Sequence, residues 1–124
     1  YQQFVEQLRL TLNRTLYLGL KDYETHFALY PPQAFYRLHV DNFRGTSARL
    51  VTTILYLNDA WQAADGGQLR LYTDGTAGGE YRDIEPQGGT LVLFLSERFW
   101  HEVLPAQKSR LSLTGWLRKP VALL

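Results

Sequence analysis

Phe4, Val5, Leu8, Leu12 and Leu16 recur with polar residues between them. That spacing, close to 3.6 residues, predicts an amphipathic helix over 3–16 with one buried stripe. After a turn around Gly19, residues 25–30 read as a strand that Pro31-Pro32 stops, because proline cannot donate to a sheet ladder. From there the pattern shortens to strand-like runs at 35–41, 49–58, 68–72, 80–84, 90–95, 99–104 and 109–118. The separators are turn-forming: Asp41-Asn42 with Gly45, Asp65-Gly66-Gly67, Asp74-Gly75, Pro86 with Gly88-Gly89, and Pro105. Many short strands behind one helix predict a mainly β fold, a double-stranded β-helix (jelly-roll or cupin-like) barrel with the N-terminal helix packed outside. An immunoglobulin-like sandwich accounts for neither the helix nor the histidines.

Strand periodicity assigns side chains to faces, because residues two apart point the same way. His39 and Asp41 therefore reach one interior position. On the last strand Arg110, Ser112, Thr114 and Trp116 share a face, while Leu111, Leu113 and Leu117 share the other. A polar, arginine-bearing face inside a small barrel is costly unless it lines a site, and the leucine face is expected to meet the 3–16 helix. Thr52, Ile54 and Tyr56 share a face as well, which aims Tyr56 at the same interior.

The chemistry follows from these faces. His39-Val40-Asp41 with a distant His101, itself nine residues before Arg110, has the form of a two-histidine, one-carboxylate metal site. Such a set holds one face of an octahedral iron(II) and leaves the other open. Zinc in the same ligands and a purely hydrogen-bonded network are the competing readings, although zinc favours a fourth ligand that the pattern does not offer. The Arg following His101 implies an anion beside the metal. His26 is expected at a surface or sheet edge.

Composition narrows the class further. The chain has 124 residues, with 13 basic and 12 acidic side chains and no long basic tract, which disfavours nucleic acid and charged-membrane binding. It contains no cysteine, which excludes disulfides and zinc–thiolate sites and fits a reducing, cytoplasmic setting. No apolar run reaches membrane-spanning length. A single domain is expected over 1–124, with 1–24 as helical support and 25–118 as the jelly-roll core. Because Tyr1 leads straight into the helical pattern, residues N-terminal to it are expected to be missing.

The motifs FYRLHVDNF, RLVTTILYLND, DGGQLRLY, IEPQGGTLVLFL, RFWHEVLPA and RLSLTGWLR stand in one order across about residues 29–118. With them the chain resembles the prolyl 4-hydroxylase branch of the iron(II)- and 2-oxoglutarate-dependent oxygenases. It looks closest to bacterial relatives of the oxygen-sensing prolyl hydroxylases, since residue 110 is Arg rather than Lys. The resemblance implies a dioxygenase using Fe(2+), 2-oxoglutarate and O2, with ascorbate as an optional reductant. It would hydroxylate a prolyl residue of a protein substrate and release succinate and CO2.

His39, Asp41 and His101 would hold iron, and Arg110 with Tyr56 and Tyr30 would hold 2-oxoglutarate. Thr114, Trp116, Leu69 and Ile54 would wall the co-substrate, while Tyr36, Arg49 and Trp100 would lie at the substrate entrance. The short 42–48 connection should sit near that entrance. Two alternatives stay open: an oxygenase acting on a free amino acid or small metabolite, and a non-catalytic metal-binding jelly-roll module.

Overall fold

The computed structural model describes residues 1–41 and 48–120. Its helix α1 spans Gln2–Leu16. Eight strands follow: β1 (Asp22–Tyr30), β2 (Tyr36–His39), β3 (Arg49–Tyr56), β4 (Leu69–Tyr72), β5 (Tyr81–Ile84), β6 (Leu91–Leu95), β7 (His101–Val103) and β8 (Arg110–Arg118). They form two four-stranded sheets, ordered β1-β8-β3-β6 and β2-β7-β4-β5, with antiparallel pairing throughout. This is the expected jelly roll. The differences lie at element ends. β1 begins three residues before the expected 25, and a 3-10 turn at Ala63–Asp65 was not legible in the pattern.

Helix α1 ends where Tyr17 turns left-handed (φ 52°) and donates its N–H to the Asn13 carbonyl. The Asn13 amide then pins the connection to β1, accepting from Leu20 N at 2.6 Å and donating to Leu20 O at 2.8 Å. Arg9 donates to the same carbonyl at 2.9 Å. Leu20 is thereby held in a core of Val5, Val51 and Leu117, with Leu8, Leu12 and Tyr23 packed against it.

The leucine face of β8 meets the helix only at one end. Leu117 is buried under α1, but Leu111 and Leu113 are half-buried. Their β1 neighbours Phe27 and Leu29 are 72% and 64% exposed. The expectation that the whole face packs on the helix is corrected accordingly: 15 helical residues reach about 22 Å, and α1 covers only the row containing Val51 and Leu117.

Between the sheets, Ile54, Tyr56, Leu69, Val92, Phe94 and Val103 form a second core. This core supports the inner face on which the polar residues stand. Among the described residues no helix is long and apolar enough to cross a membrane.

The two sides of the large sheet should respond differently to truncation. Leu117→Ala is expected to lower unfolding free energy by about 2–5 kcal/mol, whereas Phe27→Ala should change it by no more than about 0.5 kcal/mol. Urea denaturation followed by circular dichroism measures both.

Candidate active site

β2 and β7 pair so that His39 lies directly opposite His101, with ring centroids 4.0 Å apart. Asp41 stands two residues past His39, just beyond the end of β2. Its Oδ1 is 3.0 Å from His39 Nε2 and 3.4 Å from His101 Nε2. The two-residue spacing thus does place both side chains on one interior point, and folding brings the third from β7. Among the described residues these three form a cluster able to hold a metal ion.

Both imidazoles are oriented from behind. His39 Nδ1 lies 2.7 Å from the Arg37 carbonyl, and His101 Nδ1 lies 3.1 Å from that of Phe99. A carbonyl only accepts, so each Nδ1 carries the hydrogen and each Nε2 is left to bind. The two Nε2 atoms and a carboxylate oxygen then converge, held either by protons on Nε2 or by one cation in their place.

Asp41 Oδ2 faces away from the histidines. It accepts from Thr52 Oγ1 at 2.7 Å and Trp116 Nε1 at 3.3 Å. Burial is the largest single influence on Asp41 and opposes its ionisation. The hydrogen bonds from His101 and His39, the charge of His101 and the Thr52 hydroxyl together outweigh it, holding the carboxyl well below its usual range.

Arg110 opens β8 and is 3% exposed. Its Nε donates to the Gly67 carbonyl at 2.8 Å and its Nη2 to the Tyr56 hydroxyl at 3.0 Å. The Tyr30 ring centroid lies 5.4 Å from the guanidinium. Burial pushes the phenols of Tyr56 and Tyr30 up, against the pull of the nearby guanidinium, so both stay neutral near pH 7. Among the described residues no carboxylate pairs with Arg110. A buried guanidinium with neutral partners and donors to spare is a receptor for an anion.

The metal cluster and Arg110 line one cavity of about 270 Å3. Tyr30, Tyr36, Arg49, Ile54, Leu69, Thr114 and Trp116 line it too; the face assignments place Ile54, Thr114 and Trp116 there, and the resemblance implies the other four. Tyr56, fully buried, stands beside Arg110. Trp100, expected at the entrance, is half-buried, lies just before β7 and does not line the cavity. Most of the 42–48 connection lies outside the described residues.

Ala28 and Val103 also line the cavity with no signal in the sequence, Thr52 and Ser112 line it from the faces assigned to the interior, and His26 lines it against expectation. His26 is exposed, as expected of an edge position, yet it stands at the cavity, 5.7 Å from the Trp116 ring. Its register opposite Thr114 follows only from the β1–β8 pairing, although its alternation with Ala28 and Tyr30 was available.

The model of the 2OG-Fe(II) oxygenase superfamily matches residues 25–118. The chain belongs to this superfamily. The oxygenase domain is 45% identical over 83 residues to rat (Rattus norvegicus) Egl nine homolog 1, covering 65% of this chain and 24% of that protein. A Pseudomonas putida prolyl-4-hydroxylase structure superposes with a TM-score of 0.87 at 56% identity, covering 94% of this chain and 63% of that one. A Trichoplax adhaerens prolyl hydroxylase, solved with a hypoxia-inducible factor oxygen degradation domain peptide fragment, gives 0.84 at 32% identity, covering 95% and 54%. The domain therefore spans about a quarter of the length of the rat relative and under two thirds of the bacterial one. Iron(II), 2-oxoglutarate and dioxygen are the cofactors of this family, and the His-Asp-His cluster suits the first of them.

Removing the Tyr56 hydroxyl tests the anion pocket without the metal. Tyr56→Phe leaves Arg110 Nη2 short of its buried acceptor and is expected to cost about 1–3 kcal/mol of stability, read by urea denaturation.

Proposed function

We propose that this oxygenase domain is an iron(II)- and 2-oxoglutarate-dependent dioxygenase that hydroxylates a prolyl residue in a protein substrate, releasing succinate and CO2. The observation that carries the reading is the pairing, in one cavity, of three convergent metal donors with a buried arginine that has only neutral partners. Neither half alone would separate an oxygenase from a metal-binding jelly roll. Together they fit a metal-chelating co-substrate with a second, distal carboxylate.

In this reading His39, Asp41 and His101 hold iron through Nε2, Oδ1 and Nε2. Arg110 holds the distal carboxylate, assisted by the hydroxyls of Tyr56 and Tyr30. Ile54, Leu69, Thr114 and Trp116 confine the co-substrate, so that it meets the metal in one orientation. Iron with 2-oxoglutarate and dioxygen supplies the oxidising chemistry; the chain supplies ligand geometry, charge and exclusion of water. Ascorbate would be an optional reductant in this reading. The cysteine-free composition supports the cytoplasm as the working compartment.

A protein substrate is favoured over a free amino acid or small metabolite by the surface beside the cavity. A groove of about 430 Å3 shares Tyr36 and Val103 with it and continues past Phe35, Leu38, Leu104 and Pro105. Phe35 and Tyr36 are 59% and 49% exposed, and such aromatics suit the residues flanking a target proline. Prolyl hydroxylation is also what the names of the relatives state of those proteins.

Two measurements test the proposal. Anaerobic titration with iron(II) and then 2-oxoglutarate should develop a metal-to-ligand charge-transfer band that His101→Ala abolishes while the circular dichroism spectrum is kept. Arg110→Ala should raise the dissociation constant for 2-oxoglutarate by at least about 10-fold, the scale of a lost charge-assisted pair. An unchanged constant would remove Arg110 from the co-substrate site. For the substrate, 2-oxoglutarate consumption should be stimulated by proline-containing peptides and not by free amino acids, with a single oxygen added on proline by mass spectrometry.

A further inference from the structure

Thr52 and Ser96 are 1% and 0% exposed, and Thr52 lines the cavity beside the candidate metal ligands. Their hydroxyls are 2.8 Å apart, and Thr52 Oγ1 is 2.7 Å from Asp41 Oδ2. The direction of this chain is fixed by elementary chemistry. An ionised carboxylate only accepts, so Thr52 donates its single hydrogen to Asp41; Thr52 Oγ1 must then accept from Ser96, whose hydrogen is the one left to give. Trp116 Nε1, which can only donate, reaches the same Oδ2 from the other side at 3.3 Å.

Resting on the metal-site reading above, we infer that Thr52, held by Ser96, and Trp116 are positioning residues that occupy Asp41 Oδ2 and so present Oδ1 alone to the metal. A carboxylate free of such partners rotates about its last bond and can offer both oxygens to one cation. The second oxygen would then take a coordination position that the co-substrate needs. The Thr52 hydroxyl, itself held by Ser96, and the Trp116 indole N–H both bind Oδ2 and prevent that rotation. Both buried hydroxyls are hydrogen-bonded, and the chain they form ends on the metal-ligand carboxylate. The face assignment places Thr52 inside, and no local pattern marks Ser96, just past the end of β6.

The test uses the whole oxygenase domain with manganese(II) and cobalt(II) as probes, and without turnover. Thr52→Val keeps shape and removes the donor; Ser96→Ala removes only the hydroxyl that orients it; Thr52→Ser restores the hydroxyl without the methyl. Manganese(II) affinity by titration calorimetry should fall about 10-fold or more in Thr52→Val, the usual scale for losing an outer-shell partner. It should fall less in Ser96→Ala and stay within about twofold of the parent in Thr52→Ser. The cobalt(II) d–d absorption of Thr52→Val should change in shape, reporting an altered ligand set, which a general loss of packing would not produce.

Unchanged affinity and an unchanged cobalt(II) spectrum in Thr52→Val would overturn the inference. So would a Thr52→Ser variant as weak as Thr52→Val, because packing volume would then be the cause. If the parent domain binds neither probe, the metal-site reading falls, and the inference with it.

Discussion

Two imidazole nitrogens and one carboxylate oxygen face each other across 3.0 and 3.4 Å between β2 and β7. Either protons on the imidazoles or one cation can hold these three together, and much of the surrounding architecture keeps them convergent. Backbone carbonyls fix the rear nitrogen of each ring. Buried hydroxyls and an indole fix the rear oxygen of the carboxylate. β2 and β7 hold the two histidines directly opposite one another, so the site depends on the register of the small sheet. A slip of one residue would turn His101 outward.

Strand β8 shows how one segment serves both stability and chemistry. Leu117, on its outer face, is fully buried under α1, while Arg110, Ser112, Thr114 and Trp116, on its inner face, line the cavity. Period-two alternation keeps these tasks apart, so packing against the helix constrains the cavity only through the backbone. Tyr23 contributes to this separation. Its ring lies over Gly115, where any side chain would collide with it, and its hydroxyl bonds Thr53 at 2.8 Å. The outer face is thus sealed next to the strand that carries the site.

The fold and the centre of the site were legible because both rest on short-range pattern. Seven expected strand runs from 35–41 to 109–118 correspond to β2 through β8, and the separation of His39 from Asp41 reads directly as a shared face. What depended on pairing between distant strands was less accessible. His26 is a cavity residue because β1 lies beside β8, and no local signal announces that neighbour. Thr52 looked like one more inward residue of β3, and its bond to Asp41 depends on where the chain emerges from β2. Ser96 follows an apolar run and resembles a turn residue. The leucines of β8 were over-assigned to the helix for the converse reason: apolar alternation shows that a face is suited to burial, but not how far a partner extends along it.

The Gly66-Gly67 pair was legible only as a turn, yet it shapes the anion pocket. Both residues have positive φ, 74° and 70°, where side chains are disfavoured. A side chain on Gly66 would strike the Pro105 carbonyl, and one on Gly67 would press on Ala106, Trp61 and Arg110 itself. The tight passage lets the Gly67 carbonyl accept from Arg110 Nε, and the tyrosine at 56 supplies the second acceptor. A carboxylate in either position would have been the more obvious partner for a buried guanidinium, and would have neutralised it. A carbonyl and a phenol satisfy hydrogen bonds while leaving the full positive charge in place. That choice of partners is what turns a buried arginine from a structural ion pair into a receptor: its charge stays available to whichever anion enters the cavity.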